Sequence, residues 1–381
     1  MFNEGRTSWG FIRWLSLVSL SAMMLFPALQ AQADQRPTRS VQRSPDLEFV
    51  YSANQAADDL TAYRVDRKTG TLVAVPGSPY KTGPFPVAVA VSPDGRFVYV
   101  TNQGGDSVTG FRVADESGRL EEMPGSPFAA GHFPDAITVS PDGRFAYVTN
   151  EDDNTVNAYR IDPESGVLQA AGEAAPTGAH PIAVIASPNG RFLYVSNFNG
   201  ASVSSYRIDH DSGALTPVGE PAATGEHPIY TSISPDSRYA YVANYGDVTV
   251  SAFRIEADGS LRPVPGSPFL AGVRPYSVTV EAGGRYVYVA NWGSHDVTAY
   301  RIDPESGGLR KVPGSPFSTE LYPYAVVADA DSRYLYVANN ASGNISAFVI
   351  NGRDGSLQPV KGTPFPDDAG PYGMAISRWS P

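Results

Sequence analysis

The chain of 381 residues contains no cysteine, which removes disulfides, thiolate nucleophiles, cysteine-ligated metals and lipoprotein attachment at once. It also lacks any surplus of positive charge. The 28 Lys and Arg against 39 Asp and Glu give a formal charge of −11, and without residues 1–33, which carry Glu4, Arg6 and Arg13, the charge is −12. A basic footprint for nucleic acid or anionic lipid is therefore missing. No G-x-S-x-G nucleophile elbow, Gly-rich phosphate loop or H-E-x-x-H zinc motif occurs. Long apolar runs are equally scarce. The stretch from Trp14 to Phe26 is too short for a hydrocarbon core of ~30 Å, and nothing after it is long enough to span a bilayer.

That stretch follows Arg6 and Arg13 and precedes Pro27 and Ala31-Gln32-Ala33. A charged segment, a short apolar segment and an A-x-A site are the layout of a secretory signal peptide. Cleavage after Ala33 is expected, with residues 34–43 as a linker and a monomeric product in a periplasm or the medium.

What the chain has in excess is Gly and Pro, 37 and 33 residues. Both are poor in helix interiors, so a mostly helical fold is excluded. With 42% hydrophobic and 11% aromatic residues the chain still has enough apolar surface for a core. From residue 44 one pattern recurs: S-P-D-G-R-[FY]-x-Y-V-x-N, V-[TS]-x-[YF]-R-[IV], S-G-x-L, P-G-S-P-F and G-x-x-P. Its marker tyrosines are Tyr51, Tyr99, Tyr147, Tyr194, Tyr241, Tyr288 and Tyr336, spaced by 47 or 48 residues. A period of this size means a solenoid, propeller or array.

Each repeat reads as four short antiparallel strands, such as Val87 to Val91, Phe97 to Thr101, Val108 to Val113 and Leu120 to Met123. The first two are almost continuously apolar, as strands buried on both faces are. An all-β, seven-bladed β-propeller over residues 44–381 is the expected fold. Pro371 to Ile376 is a first strand without a second after it, and Phe49 to Tyr51 is a second strand without a first before it. The two ends should complete one mixed blade and close the ring.

Tyr99-Val100-Thr101-Asn102 and its copies at 147–150, 194–197, 241–244, 288–291 and 336–339 resemble the Y-V-T-N propeller repeat. Over nearly the whole mature chain the sequence is similar to the seven-bladed lactonase family, which includes propeller-type 6-phosphogluconolactonases and a fungal muconate-lactonising enzyme. The resemblance implies hydrolysis of a sugar-acid lactone without metal or cofactor, by His, Arg and Glu at one mouth of the central channel. An exported protein fits an unphosphorylated aldonolactone, such as a gluconolactone, better than a phosphorylated one.

Functional residues should stand where the repeat breaks at that mouth. The position before the first-strand proline reads Phe85, Phe133, His180, His227, Arg274, Tyr322 and Gly370, with His132 one residue out of register. Five loops read G-[ST]-P-[FY]. Two instead carry Glu173 and Glu220, and there Ala175 and Ala222 replace the aromatic, which predicts an opening beside His180 and His227. After the second-strand asparagine stand Gln55, Gln103, Glu151, Phe198, Tyr245, Trp292 and Asn340.

An aromatic wall with histidines and an arginine suits an anionic or sugar-like ligand. Lactone hydrolysis needs a base near neutral pKa and a donor for the oxyanion. His180 or His227 is the candidate base, Arg274 the carboxylate or oxyanion partner, and Glu151 or Asp135 the orienting acid. His132, Glu173, Glu220, Tyr245, Trp292 and Tyr322 are candidate ligand contacts. Glu151-Asp152-Asp153-Asn154 lacks the spacing of a 12-residue calcium loop and reads as an acidic turn, and His210 and His295 read as solvated. The uniformity of the blades keeps a second reading open, a non-enzymatic binding or scaffold propeller of the cell envelope with a protein partner.

Overall fold

Four short segments between Gly- and Pro-marked turns build one antiparallel sheet per repeat, and seven such sheets form in the computed structural model. The structure describes residues 47–367 and 370–379. The leader-like segment and the 34–43 linker lie outside the described residues. In blade 2 the strands are Pro86–Val91, Phe97–Asn102, Ser107–Val113 and an outer strand in two pieces, Leu120–Glu122 and Phe128–Ala129, both paired with Ser107–Val113. Blades 3 to 7 repeat this order, with inner strands Pro134–Val139, Pro181–Ala186, Pro228–Ile233, Pro275–Val280 and Pro323–Ala328. Each inner strand contacts the next, and the series returns on itself.

Blade 1 is the mixed one. Leu47–Asn54 pairs with Asp59–Val65 on one side and with Pro371–Trp379 on the other, in the register Val50 to Ile376 and Tyr51 to Ala375. Ring closure through strands from both ends of the described chain leaves no open sheet edge between first and last blades.

The core lies between blades, in seven apolar clusters, one per interface. All seven second strands are buried along their whole length. The repeat motifs explain the spacing between blades. The Tyr99 hydroxyl donates to the Gly166 carbonyl of the next blade at 2.6 Å, and Tyr336 does the same to Gly70 across the closure at 3.0 Å. Gly166 has φ +77°, and a Cβ there would meet the Phe97 ring at 2.5 Å, so the S-G turn needs glycine for both conformation and space. The arginines of the S-P-D-G-R turns also reach across, Arg96 to Pro163 O at 2.8 Å and Arg285 to Gly352 O at 2.8 Å.

Candidate functional site at the channel mouth

The inner-strand proline pairs with the second-strand asparagine, so the loops before the one and after the other share one face. The residue before the proline is left-handed in every blade: Phe85 φ 53°, Phe133 56°, His180 53°, His227 51°, Arg274 51°, Tyr322 56° and Gly370 77°. Such a conformation costs a non-glycine residue ~1–2 kcal/mol and persists only where the surroundings hold it. Here its carbonyl accepts from the following second-to-third-strand loop, as in Phe198 N to His180 O at 2.8 Å and Trp292 N to Arg274 O at 2.9 Å. In four blades its N–H donates to a side chain of the preceding blade: Asp58, Asp106, Asn154 and, for Tyr322, His295 Nδ1 at 3.1 Å. His295 is thus half-buried and structural rather than solvated, while His210 is exposed.

Directly after the proline the pairing register shifts in all seven blades, a β-bulge of the kind that re-aims a side chain. The bulge positions read Val87, Asp135, Ile182, Ile229, Tyr276, Tyr324 and Tyr372. All but Val87 line one cavity of about 360 Å³, together with Gln103, Phe133, Glu151, Phe198, Tyr230 and Tyr245. Asp135 is half-buried among these residues and accepts from Gln103 Nε2 at 2.9 Å. Burial, with Glu151 adding to it, pushes its carboxyl well above the usual carboxylate range. Burial likewise raises Tyr230, Tyr276 and Tyr372, which stay protonated and able to donate, and the Tyr276 and Tyr372 hydroxyls bond to each other.

Each of three sequence candidates contacts a residue that lines the cavity without lining it itself. His180 Nδ1 lies 3.0 Å from Glu151 Oε1, at the edge where Glu151 lines the cavity. His227 has no carboxylate partner among the described residues; it stacks on Phe198, 4.5 Å between centroids at 17°. Arg274 lies over Tyr245 and Trp292, 5.5 and 5.2 Å from their ring centres, and Trp292 stacks on Tyr322 at 4.3 Å.

Other candidates lie elsewhere. His132 pairs with Asp106 at 3.1 Å on the exposed rim, and that hydrogen bond, with Asp153 nearby, raises its pKa. Glu173 and Glu220 occupy the exposed breaks of two outer strands and do not line the cavity. The aromatic replaced by Ala175 and Ala222 corresponds to Phe128, which packs with Met123 and Tyr99 in an inter-blade core, so its loss falls on the blade flank. In the acidic turn, Asp153 and Asn154 accept the His132 and His180 amides. No metal-ligating cluster occurs among the described residues.

The sequence reading missed Gln103, Phe133, Phe198, Tyr230, Tyr276, Tyr324 and Tyr372 as cavity residues. Aligning one position further, to the residue after the proline, would have exposed three of the tyrosines.

A scan against family models matches "Lactonase, 7-bladed beta-propeller" over residues 73–185, 173–267 and 271–367. The comparison with curated proteins returned no match. Among solved structures, a candidate 6-phosphogluconolactonase of Bacteroides fragilis aligns at 21% identity and TM-score 0.76, covering 87% of this chain and 98% of its own. A periplasmic gluconolactonase of Pseudomonas aeruginosa aligns at 22% and 0.73, covering 87% and 99%. Hydrazine synthase of Kuenenia stuttgartiensis aligns at 23% and 0.62, covering 80% and 92%, so the scaffold also serves unrelated chemistry. The family match spans most of a chain that folds into seven closed blades, and the protein belongs to the seven-bladed β-propeller lactonase family.

Proposed function

We propose that the protein hydrolyses an unphosphorylated lactone, such as an aldonolactone, at the channel mouth, outside the cytoplasm and without a metal ion. The observation that carries this reading is the 3.0 Å contact between His180 and Glu151 at the cavity rim. A carboxylate accepting Nδ1–H fixes the tautomer and leaves Nε2 free as a base, the logic of a base oriented by a third group. Water attacks the carbonyl carbon and its proton goes to His180. The tetrahedral oxyanion is stabilised by Arg274, and collapse opens the ring C–O bond as His180 returns the proton to the departing alkoxide. His227, stacked on Phe198, serves as wall. A phosphorylated substrate fits poorly, since no residue that lines the cavity is basic.

The test is proton release from glucono-1,5-lactone in a pH-stat. Wild type should exceed His180→Ala by about 10²-fold or more, the usual worth of a general base. If both proteins only match the spontaneous rate, the hydrolase reading fails. A binding propeller then becomes the better reading, favoured by Phe85, Val273 and Leu321, each at least half exposed on the rim.

A further inference from the structure

The cavity is unusual in the chemistry of its walls. Seven of its twelve lining residues are aromatic, two are carboxylic and none is basic. Its volume of about 360 Å³ is that of a small-molecule site.

The rings do not form a flat platform of the sort on which a sugar face stacks. Tyr245 and Tyr276 meet at 90°, Tyr276 and Tyr372 at 89°, and Tyr276 and Tyr324 at 59°, with centroids 4.5 to 6.0 Å apart. The rings pack against one another at steep angles and line the same open cavity, and an aromatic face attracts positive charge. The chain's own Arg274 already lies over Tyr245 and Trp292 at the rim. Among the described residues no Arg or Lys lies over the rings of Tyr230, Tyr276, Tyr324 and Tyr372, and the carboxylic groups of Asp135 and Glu151 line the same cavity. Two carboxylates are too few oxygen ligands for a hard divalent ion, which takes six or more.

We propose that this cavity binds an organic ammonium ion against Phe198, Tyr245, Tyr276 and Tyr324, neutralised by Asp135 and Glu151. The inference deepens the hydrolase reading: the preferred lactone carries a positively charged amine that enters the cavity while its ring stays at the His180 rim.

Calorimetric titration with choline and with its uncharged carbon isostere, 3,3-dimethylbutan-1-ol, tests this without turnover. Choline should bind at least about tenfold more tightly than the isostere, which corresponds to ~1.4 kcal/mol. Asp135→Asn should remove most of that preference, and Phe198→Leu should weaken choline binding with Asp135 left intact. Equal affinities for the two probes, no choline binding up to millimolar concentration, or displacement of the isostere by gluconate but not by choline would each overturn the proposal. Protein that binds choline but opens no lactone overturns the hydrolase reading alone, and protein that opens lactones but ignores choline overturns this one alone.

Discussion

Asp135 is the residue at which stability and function pull in opposite directions. Burial raises its pKa, helped by Glu151, while Gln103 opposes the rise; Tyr230, Tyr276 and Tyr372 are the other titratable groups that sense it. Between the ordinary Asp value of about 3.9 and that raised value, the folded protein holds a proton that the unfolded chain has released. Stability therefore falls as pH rises through this window, and the cost of the buried charge is fully present above it. Asp135→Asn should flatten that part of the stability–pH curve and raise stability at pH 7 by about 1–2 kcal/mol, the scale for relieving one poorly solvated polar group. Parallel denaturant titrations between pH 4 and 8 would show it, and an unchanged slope would mean that Asp135 is well solvated. A site residue whose removal stabilises the fold follows the usual trade-off. Asp135 stood out in the sequence as an acid near the mouth, but its partner Gln103 lies 32 residues away in the neighbouring blade and had no local signal.

At the scale of the element, the recurring letters of the repeat are contacts between neighbours. The S-G glycines are the sharpest case, because each faces an aromatic near the start of a second strand of the preceding blade: Gly118 faces Phe49, Gly166 faces Phe97 and Gly213 faces Phe145. Gly166→Ala forces a left-handed alanine against the Phe97 ring and should cost about 2–4 kcal/mol. Chemical denaturation would measure it, and a loss below 1 kcal/mol would show that the turn can relax. These strands were legible in the sequence because their apolar runs are short, regular and bounded by Gly and Pro. The split of each outer strand was not legible. In the blades that keep the G-[ST]-P motif its hydroxyl stands in for a ladder partner at the break, as when Ser126 Oγ accepts the Gly110 amide at 3.1 Å, but the outer strands at Glu173 and Glu220 split without it. The bulge after each inner-strand proline was equally hidden, since it is a mismatch of register between two strands and has no composition of its own.

For the whole molecule, closure is the weak point of any ring, and two devices secure it here. The first is the pairing of Leu47–Asn54 with Pro371–Trp379, which also places Met374 and Trp379 in the clusters on either side of blade 1. Removing residues 370–381 should lower the thermal midpoint by roughly 10 °C or more or cause aggregation, and an unchanged midpoint would contradict the closure. The second is Asp331, which pairs with Arg67, Arg378 and, at 3.0 Å, Arg333. Partial burial works to raise its pKa, but the arginine hydrogen bonds outweigh it and hold the carboxyl below the usual range. Its stabilisation is therefore present above about pH 4 and is lost as pH falls through the lowered folded value. Asp331→Asn should be less stable than wild type at pH 7, by a margin that shrinks as pH falls from about 4 toward 2. A constant difference across that range would remove Asp331 from the closure.

The number of blades, the strand order and the pairing of the first and last strands were legible in the amino-acid order alone, because a period of 47 or 48 residues with fixed turn chemistry leaves a four-stranded sheet nowhere to bury its faces except against its own copies. That order also marked the rim residues His180, His227 and Arg274, where copies that should agree do not. Which side chains line the cavity is set by the tertiary fold, since that depends on which ones a bulge turns toward the ring axis and which neighbours meet them across blades. Residues in separate copies, such as Asp135, Tyr230, Tyr276 and Tyr372, become one site only when the ring brings their strands together.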